Sequence, residues 1–261
     1  MATTKTVAPR LTDAQLGELL GLIRQADSVE LKLTIPESSQ RSAVQALQLD
    51  PLDAQIRQVF FFDTPDLALN ERGVVARARR IQAKGSDSVI KLRPVVPHEL
   101  PDKVRTAPGF GVEVDALPGG FVCSGSMKGK LPPTAVREAA AGKLRLRKLF
   151  SKQQRAFFED NAPEGLSLDD LSVLGPIFVL KLAFTPEELA RRMVAELWLY
   201  PDGSRILELS TKYKPKEAFD VAAEARAFLA TRGVDTSGEQ QTKTKTALEF
   251  FSGELAEKEA E

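Results

Sequence analysis

The sequence predicts an α+β fold in which an antiparallel β-sheet closes into a barrel and helices pack against its outer face. Three observations support this prediction. The segment Ser28–Ile35 alternates strictly between apolar and polar residues, which is typical of a strand with one dry side. Short turns such as Pro201-Asp202-Gly203 join many of the apolar segments as hairpins would. Amphipathic helices recur between the strands, so they can cover the outer wall.

Eight strands and five helices are predicted in chain order. The strands cover residues 28–35, 55–62, 74–81, 89–95, 111–117, 176–184, 194–200 and 204–213. The helices cover residues 12–25, 38–47, 132–149, 152–160 and 216–232. Residues 132–160 are interpreted as a helical insertion beside the barrel. Residues 119–130 are interpreted as irregular, and the charged tail 253–261 is expected to be disordered.

The polar faces of the strands carry charge repeatedly. Besides Glu30 and Lys32, the later strands place on one face Arg77, Arg79, Lys91, Arg93, Glu113, Asp115, Lys181, Glu196, Glu208 and Lys212. On any single strand such alternation usually marks a solvated face. Its recurrence along the whole barrel favours a charged cavity. With Lys245 added, these residues carry three more positive than negative charges, which suits a triphosphate with one bound Mg²⁺.

Composition excludes several classes of protein. Lys plus Arg equals Asp plus Glu, at 36 each, so no global bias favours nucleic acid or membrane. His98 is the only histidine and Cys123 the only cysteine, so a His/Cys zinc site and an internal disulfide are excluded. The glycines before Lys130 do not have the spacing of a Walker-type phosphate loop. No apolar run of about 18 residues is present, and we expect a soluble, cytoplasmic protein.

An ordered set of short motifs resembles those of the CYTH-domain proteins, the triphosphate tunnel metalloenzymes. Ser28-Val29-Glu30-Leu31-Lys32 is similar to their ExExK strand, and Phe61-Phe62-Asp63-Thr64-Pro65 to their YFDTP stretch. Arg77 and Arg79 follow where that family has an Arg-x-Arg pair. Later matches are Val89-Ile90-Lys91-Leu92, Glu208-Leu209-Ser210 and Thr244-Lys245-Thr246. The resemblance runs from about Val29 to Phe251, and we therefore expect one CYTH-like domain over residues 1–261 with its core at 28–251.

The resemblance implies an eight-stranded antiparallel tunnel that hydrolyses a triphosphate-containing substrate with Mg²⁺ or Mn²⁺. The implied catalytic residues are Glu30, Lys32 and Glu208, and the implied metal ligands are Glu30, Glu196 and Glu208. Phosphates would be bound by Lys32, Arg77, Arg79, Lys91, Lys181 and Lys245, to which strand parity adds Arg93 and Lys212. The roles of Glu113 and Asp115 stay open. The expected partner is a small triphosphate or a short polyphosphate, with no membrane and no specific nucleic acid.

Two positions depart from the family pattern. Ser28 stands where ExExK has its first glutamate, and Ser210 where the later pair has its second. A hydroxyl can hold a metal-bound water but adds no negative charge, so the metal site should be weaker. Three functions therefore stay open. They are a metal-dependent triphosphatase, a non-catalytic module that binds polyphosphate or another polyanion, and an adenylyl cyclase.

Overall fold

The chain forms a closed barrel of nine strands, as seen in a computed structural model that describes residues 11–237 and 243–260. The strands are β1 Ser28–Ile35, β2 Gln55–Asp63, β3 Val74–Ile81, β4 Ser86–Leu92, β5 Phe110–Leu117, β6 Gly120–Leu131, β7 Ser172–Phe184, β8 Met193–Leu199 and β9 Arg205–Tyr213. Around the barrel they follow the order β1-β5-β6-β4-β3-β2-β7-β8-β9, after which β9 pairs with β1.

The barrel corrects the prediction in two linked respects, because it has nine strands rather than eight and is mixed rather than purely antiparallel. Strands that alternate in direction can close a ring only when their number is even. A ring of nine must therefore contain a parallel pair, and here it is β1 with β5, where Glu30 lies opposite Asp115. Every other neighbouring pair is antiparallel.

The additional strand is β6, which covers the segment that was interpreted as irregular. Its glycines hide the strand signal in the sequence but are required by close packing on its outer face. A Cβ added at Gly125 would lie 2.9 Å from the ring of Phe110. A Cβ added at Gly129 would lie 2.5 Å from Oε1 of Gln154. Glycine permits both approaches, at the cost of weak intrinsic strand propensity.

Helices cover much of the outer wall, in agreement with the prediction. They are α1 Asp13–Gln25, α2 Gln40–Ala46, α3 Ala68–Glu71, α4 Asp102–Arg105, α5 Ala135–Ala140, α6 Lys152–Glu159, α7 Ala218–Thr231 and α8 Lys243–Ala260. The predicted helix 132–149 is wrong in length, because α5 ends before Gly142, which has a φ of 70°. A left-handed residue of this kind commonly ends a helix. None of the described helices is long and apolar enough to cross a membrane.

Burial follows the alternation along the strands. The outward side chains of β1, such as Leu31 and Leu33, are buried in a core that includes Ile23 of α1 and Leu229 of α7. A second core lies under α5 and α6 on the other side of the barrel, where Phe158 is also buried. On β1, the apolar residues thus face the helices, and Glu30 and Lys32 face the barrel interior.

Helix α8 is packed differently from the other helices, because it contacts residues that point into the barrel. Ala247, Leu248 and Phe251 are buried in a third core with Phe61 and Trp198. The helix therefore closes one end of the barrel. Residues 253–260 continue this helix, which contradicts the expectation of a disordered tail, while Glu261 lies outside the described residues.

Gln154 offers a test of how the barrel and α6 are held together. Its side chain is fully buried, and its amide nitrogen donates to the carbonyls of Ser88 and Met127 at 3.1 Å. Its Oε1 accepts from Ser88 Oγ and from the backbone N–H of Ser151. We expect Gln154→Ala to lower the free energy of unfolding by about 1–3 kcal/mol, because these buried groups lose their partner.

Chemical denaturation measures this change, and Gln153→Ala is the matched control. Gln153 precedes it on the same helix and is exposed, so its substitution should change the free energy of unfolding by less than about 0.5 kcal/mol. Equal stability of the two variants would show that Gln154 does not join α6 to the barrel.

Candidate functional site

The barrel encloses a cavity of about 340 Å³ whose walls carry twice as many basic as acidic side chains. The basic residues are Lys32, Arg57, Arg77, Arg79, Lys91, Arg93, Lys128, Lys181, Lys212 and Lys243. The acidic residues are Glu30, Glu113, Asp115, Glu196 and Glu208. Ten of these fifteen side chains fall into three groups, which we name the acidic cluster, the basic wall and the bridged pair.

The acidic cluster consists of Glu30, Glu113 and Asp115. One carboxylate oxygen of each lies within 4.8 Å of the others, because the parallel pairing of β1 and β5 places the two strands side by side. Lys32 Nζ lies 2.8 Å from Oδ2 of Asp115 and 3.5 Å from Oε2 of Glu30. The other oxygen of Asp115, Oδ1, is buried and has no hydrogen-bond partner among the described residues.

This orphaned oxygen is the observation that fits a cation at the cluster. Three carboxylates, one of which has a buried oxygen without a partner, supply the hard oxygen ligands that Mg²⁺ and Mn²⁺ prefer. The neighbouring lysines lower the pKa values of Glu113 and Asp115. Burial alone would raise the pKa of Asp115, but Lys32 and Lys91 outweigh it and hold the pKa below its ordinary value. Burial likewise lowers the pKa of Lys32, and the attraction of Glu30 and Asp115 more than reverses this.

The basic wall consists of Arg57, Arg77, Arg79, Arg93 and Lys128. Arg79 is held by a bidentate ion pair with Asp87, at 2.8 and 2.7 Å. No carboxylate of the described residues forms an ion pair with the other four. An unpaired cation in a closed barrel is unfavourable unless a ligand neutralises it. The wall therefore has the electrostatics of an anion-binding site.

The pKa values of this region show the same imbalance. Burial and, after it, the nearby charge of Arg79 lower the pKa of Arg77 to about 9. Burial also lowers the pKa of Lys91 to about 8, although Asp115 lies 3.6 Å from its Nζ. Both groups would hold their protons more tightly if a polyanion lay beside them.

The bridged pair is Glu196 and Glu208, joined by the ammonium of Lys243. Lys243 Nζ lies 2.9 Å from Oε2 of Glu196 and 2.6 Å from Oε1 of Glu208. Lys181 Nζ lies 2.7 Å from the other oxygen of Glu196. Burial raises the pKa of Glu196, yet Lys243 and Lys181 hold it well below its ordinary value.

The predicted metal ligands Glu30, Glu196 and Glu208 are divided between two groups of the cavity, and their role as ligands stays a prediction. In the part of the chain that the structure describes, Glu30 clusters with Glu113 and Asp115 instead. Glu196 and Glu208 are already neutralised by lysines of the chain itself. The residues that fit a divalent cation are therefore those of the acidic cluster.

Lys245 also needs correction as a phosphate-binding residue. Its side chain is 65% exposed and pairs with Glu249 on the surface of α8. Lys243 enters the cavity in its place. The two lysines stand in the same Thr-Lys-Thr context, so the motif cannot separate them. Helical spacing distinguishes the two lysines, because Lys243 is four residues before Ala247 and eight before Phe251, both of which are buried.

Two further cavity residues, Arg57 and Lys128, are absent from the predicted set. Arg57 has the same strand parity as Val59, which also lines the cavity, so alternation along β2 could have identified it. Lys128 lies on β6, the strand that the glycines concealed. The remaining predicted phosphate-binding residues all line the cavity, namely Lys32, Arg77, Arg79, Lys91, Arg93, Lys181 and Lys212.

The two serines lie beside charged groups of the cavity. Ser28 Oγ donates to Oε2 of Glu113 at 3.3 Å, and Lys212 forms an ion pair with the same carboxylate. Ser210 is buried opposite Lys32 in the pairing of β1 with β9.

Asp63 of the YFDTP-like stretch has a structural role, because it accepts backbone N–H bonds from Thr64, Leu69 and Asn70 at the start of α3.

Comparison with known proteins supports the fold. No protein-family model and no curated protein matches the sequence. Among solved structures, a Hippeastrum protein provisionally named an adenylyl cyclase and described as having a dominant triphosphatase activity is similar at 18% identity and a TM-score of 0.59. The similarity covers 81% of this chain and 91% of that one.

A second similar structure is a protein from Bacillus halodurans, provisionally named an adenylate cyclase. It is 12% identical with a TM-score of 0.56, over 84% of this chain and 98% of that one. At these identities the likeness is one of fold. The chain therefore shares its fold with these two proteins.

Proposed function

We propose that this chain is a metal-dependent phosphohydrolase that acts on a triphosphate-containing substrate, either inorganic tripolyphosphate or an organic triphosphate. One observation carries the proposal. Inside a closed barrel, a wall of five cations, four of them without a carboxylate partner among the described residues, lines the same cavity as an acidic cluster that has a free, buried oxygen. A linear polyphosphate with a divalent cation would neutralise both groups at once. The triphosphatase activity described for the Hippeastrum neighbour is consistent with this proposal.

The basic wall would bind the phosphate chain. Arginine side chains such as Arg77 and Arg93 suit this task, because a guanidinium donates two parallel hydrogen bonds to phosphate oxygens. Lys32 and Lys91 lie between the wall and the acidic cluster, where Asp115 accepts from Lys32. They would orient the terminal phosphoryl group next to the cluster. Positioning and charge stabilisation of this kind account for most of the catalysis in phosphoryl transfer.

The reaction would be hydrolysis of a phosphoanhydride bond. A water oxygen forms a bond to the terminal phosphorus, and the bridging P–O bond breaks, so tripolyphosphate yields orthophosphate and diphosphate. Arg77 would stabilise the charge that develops on the transferring group. Glu30, Glu113 and Asp115 would hold the cation, which supplies charge neutralisation for the phosphate oxygens. Glu208, predicted to be catalytic, is instead bonded to Lys243 in the described structure.

A non-catalytic polyanion-binding module is the second candidate. Ser28 and Ser210 replace two carboxylates of the family pattern, and Lys243 neutralises two more. Such a protein would keep the basic wall but have little turnover. Phosphate release from tripolyphosphate, thiamine triphosphate and ATP, each with Mg²⁺, Mn²⁺ or EDTA, separates the candidates. Metal-dependent release supports the phosphohydrolase, tight binding without release supports the binding module, and cyclic AMP from ATP would indicate a cyclase.

Substitution of Arg77 tests the basic wall. We expect Arg77→Met to lower kcat/KM for tripolyphosphate by about 100-fold, because it removes a preorganised positive charge from the transferring phosphoryl group. The variant should be at least as resistant to thermal unfolding as the natural protein, since Arg77 has no carboxylate partner to leave unpaired.

Arg80→Met is the matched control on the same strand. Arg80 points to the outside of the barrel, where it donates to Gln58, so its loss should leave kcat/KM within about threefold. Equal kinetics for the two variants would remove Arg77 from the site.

The buried amine of Lys91 predicts an unusual dependence of stability on pH. Its pKa is about 8 in the folded protein and has the ordinary value of 10.5 when exposed. Between these values the unfolded chain binds more protons than the folded chain, so the free energy of unfolding should rise with pH. Arg77 acts in the same direction above about pH 9.

Urea denaturation between pH 7.5 and 10 measures this rise. The Lys91→Met variant has no titrating group at this position, so its stability should rise less over the same interval. Parallel pH profiles for the two proteins would show that Lys91 is not strained by burial.

A further inference from the structure

The ammonium of Lys243 lies where a cation ligated by Glu196 and Glu208 would lie. It contacts one oxygen of each carboxylate within 2.9 Å, and its side chain is only 13% exposed. Trp198 adds two contacts to this group. Its ring centroid is 5.1 Å from Lys243 Nζ, and its indole N–H donates to Glu196 at 3.3 Å.

The bridged pair is balanced by charges of the chain itself. Lys243 and Lys181 together match the two carboxylates, and no polar atom of these four side chains is buried without a partner in the described structure. The acidic cluster differs in this respect, because Asp115 Oδ1 is buried and unpaired. Carboxylates from the two sets are thus in different electrostatic states within one cavity.

We propose that Lys243 is a tethered cation that takes the place of a divalent metal ion between Glu196 and Glu208, so that its removal opens a second cation site in the barrel. The inference rests on the proposed function, because it assigns the first cation site to the acidic cluster.

The position of Lys243 in the chain explains why a free ion would not displace it. It is the first described residue of α8, and its carbonyl accepts from the hydroxyl of Tyr200 at 3.0 Å. Ala247 and Leu248, on the next turn, are buried against the barrel interior. Displacing the ammonium would require this end of α8 to move. A group tethered in this way competes at a high effective concentration.

Counting bound Mn²⁺ in two lysine variants tests the proposal. Lys243→Met removes the bridging ammonium, and Lys245→Met removes an exposed lysine two residues later on the same helix. Titration followed by electron paramagnetic resonance of free Mn²⁺ gives the number of ions bound per chain. We expect Lys245→Met to bind as many ions as the natural protein and Lys243→Met to bind one more. Equal counts for the two variants would overturn the proposal.

Glu208→Gln in the natural background gives a second test that does not depend on the folding of Lys243→Met. If Lys243 occupies the pair, this change removes no metal ligand and the Mn²⁺ count stays the same. Loss of one ion would show that Glu208 binds metal in the natural protein and would contradict the proposal.

The number of Mn²⁺ ions bound per chain can be measured whether or not the protein hydrolyses a triphosphate. If the protein hydrolyses no triphosphate, the proposed function fails. A gain of one bound Mn²⁺ in Lys243→Met would still show that Lys243 takes the place of a metal ion between Glu196 and Glu208. Asp115→Asn reports separately on the acidic cluster, where it should abolish the Mn²⁺ site of the natural protein.

Discussion

Uncompensated positive charge inside a closed barrel is the constraint on which the rest of the structure depends. Arg57, Arg77 and Arg93 of the basic wall line the cavity and form no ion pair with a carboxylate in the described chain. Folding buries them at a cost, as the lowered pKa values of Arg77 and Lys91 show. The outer cores under the helices must offset this cost. A ligand with several negative charges would remove it, so the fold and the proposed function are coupled through charge.

The acidic residues of the barrel show how one cavity can hold two kinds of carboxylate. Parallel pairing of β1 with β5 brings Glu30 and Asp115 together and leaves an oxygen free. On strands β8 and β9, of which β9 pairs with β1, helix α8 places Lys243 between Glu196 and Glu208. Both arrangements depend on contacts between distant parts of the chain. The acidic cluster depends on the parallel pair that a ring of nine strands must contain, and the bridged pair depends on the packing of α8 against the end of the barrel.

The dependence of these two carboxylate arrangements on long-range contacts decides how much of the site the sequence can predict. Alternation along single strands placed Lys32, Arg77 and Lys91 on one side, and their side chains do face the cavity, because the parity of a strand is a local property. The grouping of the carboxylates could not be predicted in this way. It needs the partner of each strand, and the strand that completes the ring, β6, was concealed by the glycines that let Phe110 and Gln154 pack against it. Lys243 is an intermediate case, since helical spacing distinguishes it from Lys245 only once α8 is known to be a helix.

The central claim is that a linear polyphosphate binds in the cavity along the basic wall and beside Lys91, and proton uptake on binding tests it most directly. Tripolyphosphate is titrated calorimetrically into the natural protein and into Lys91→Met at pH 8.5, in two buffers with different enthalpies of ionisation. Because the pKa of Lys91 is about 8 in the free protein and a nearby polyanion should raise it, binding should take up more protons in the natural protein than in the variant. Absence of binding, or equal proton uptake by the two proteins, would contradict the account.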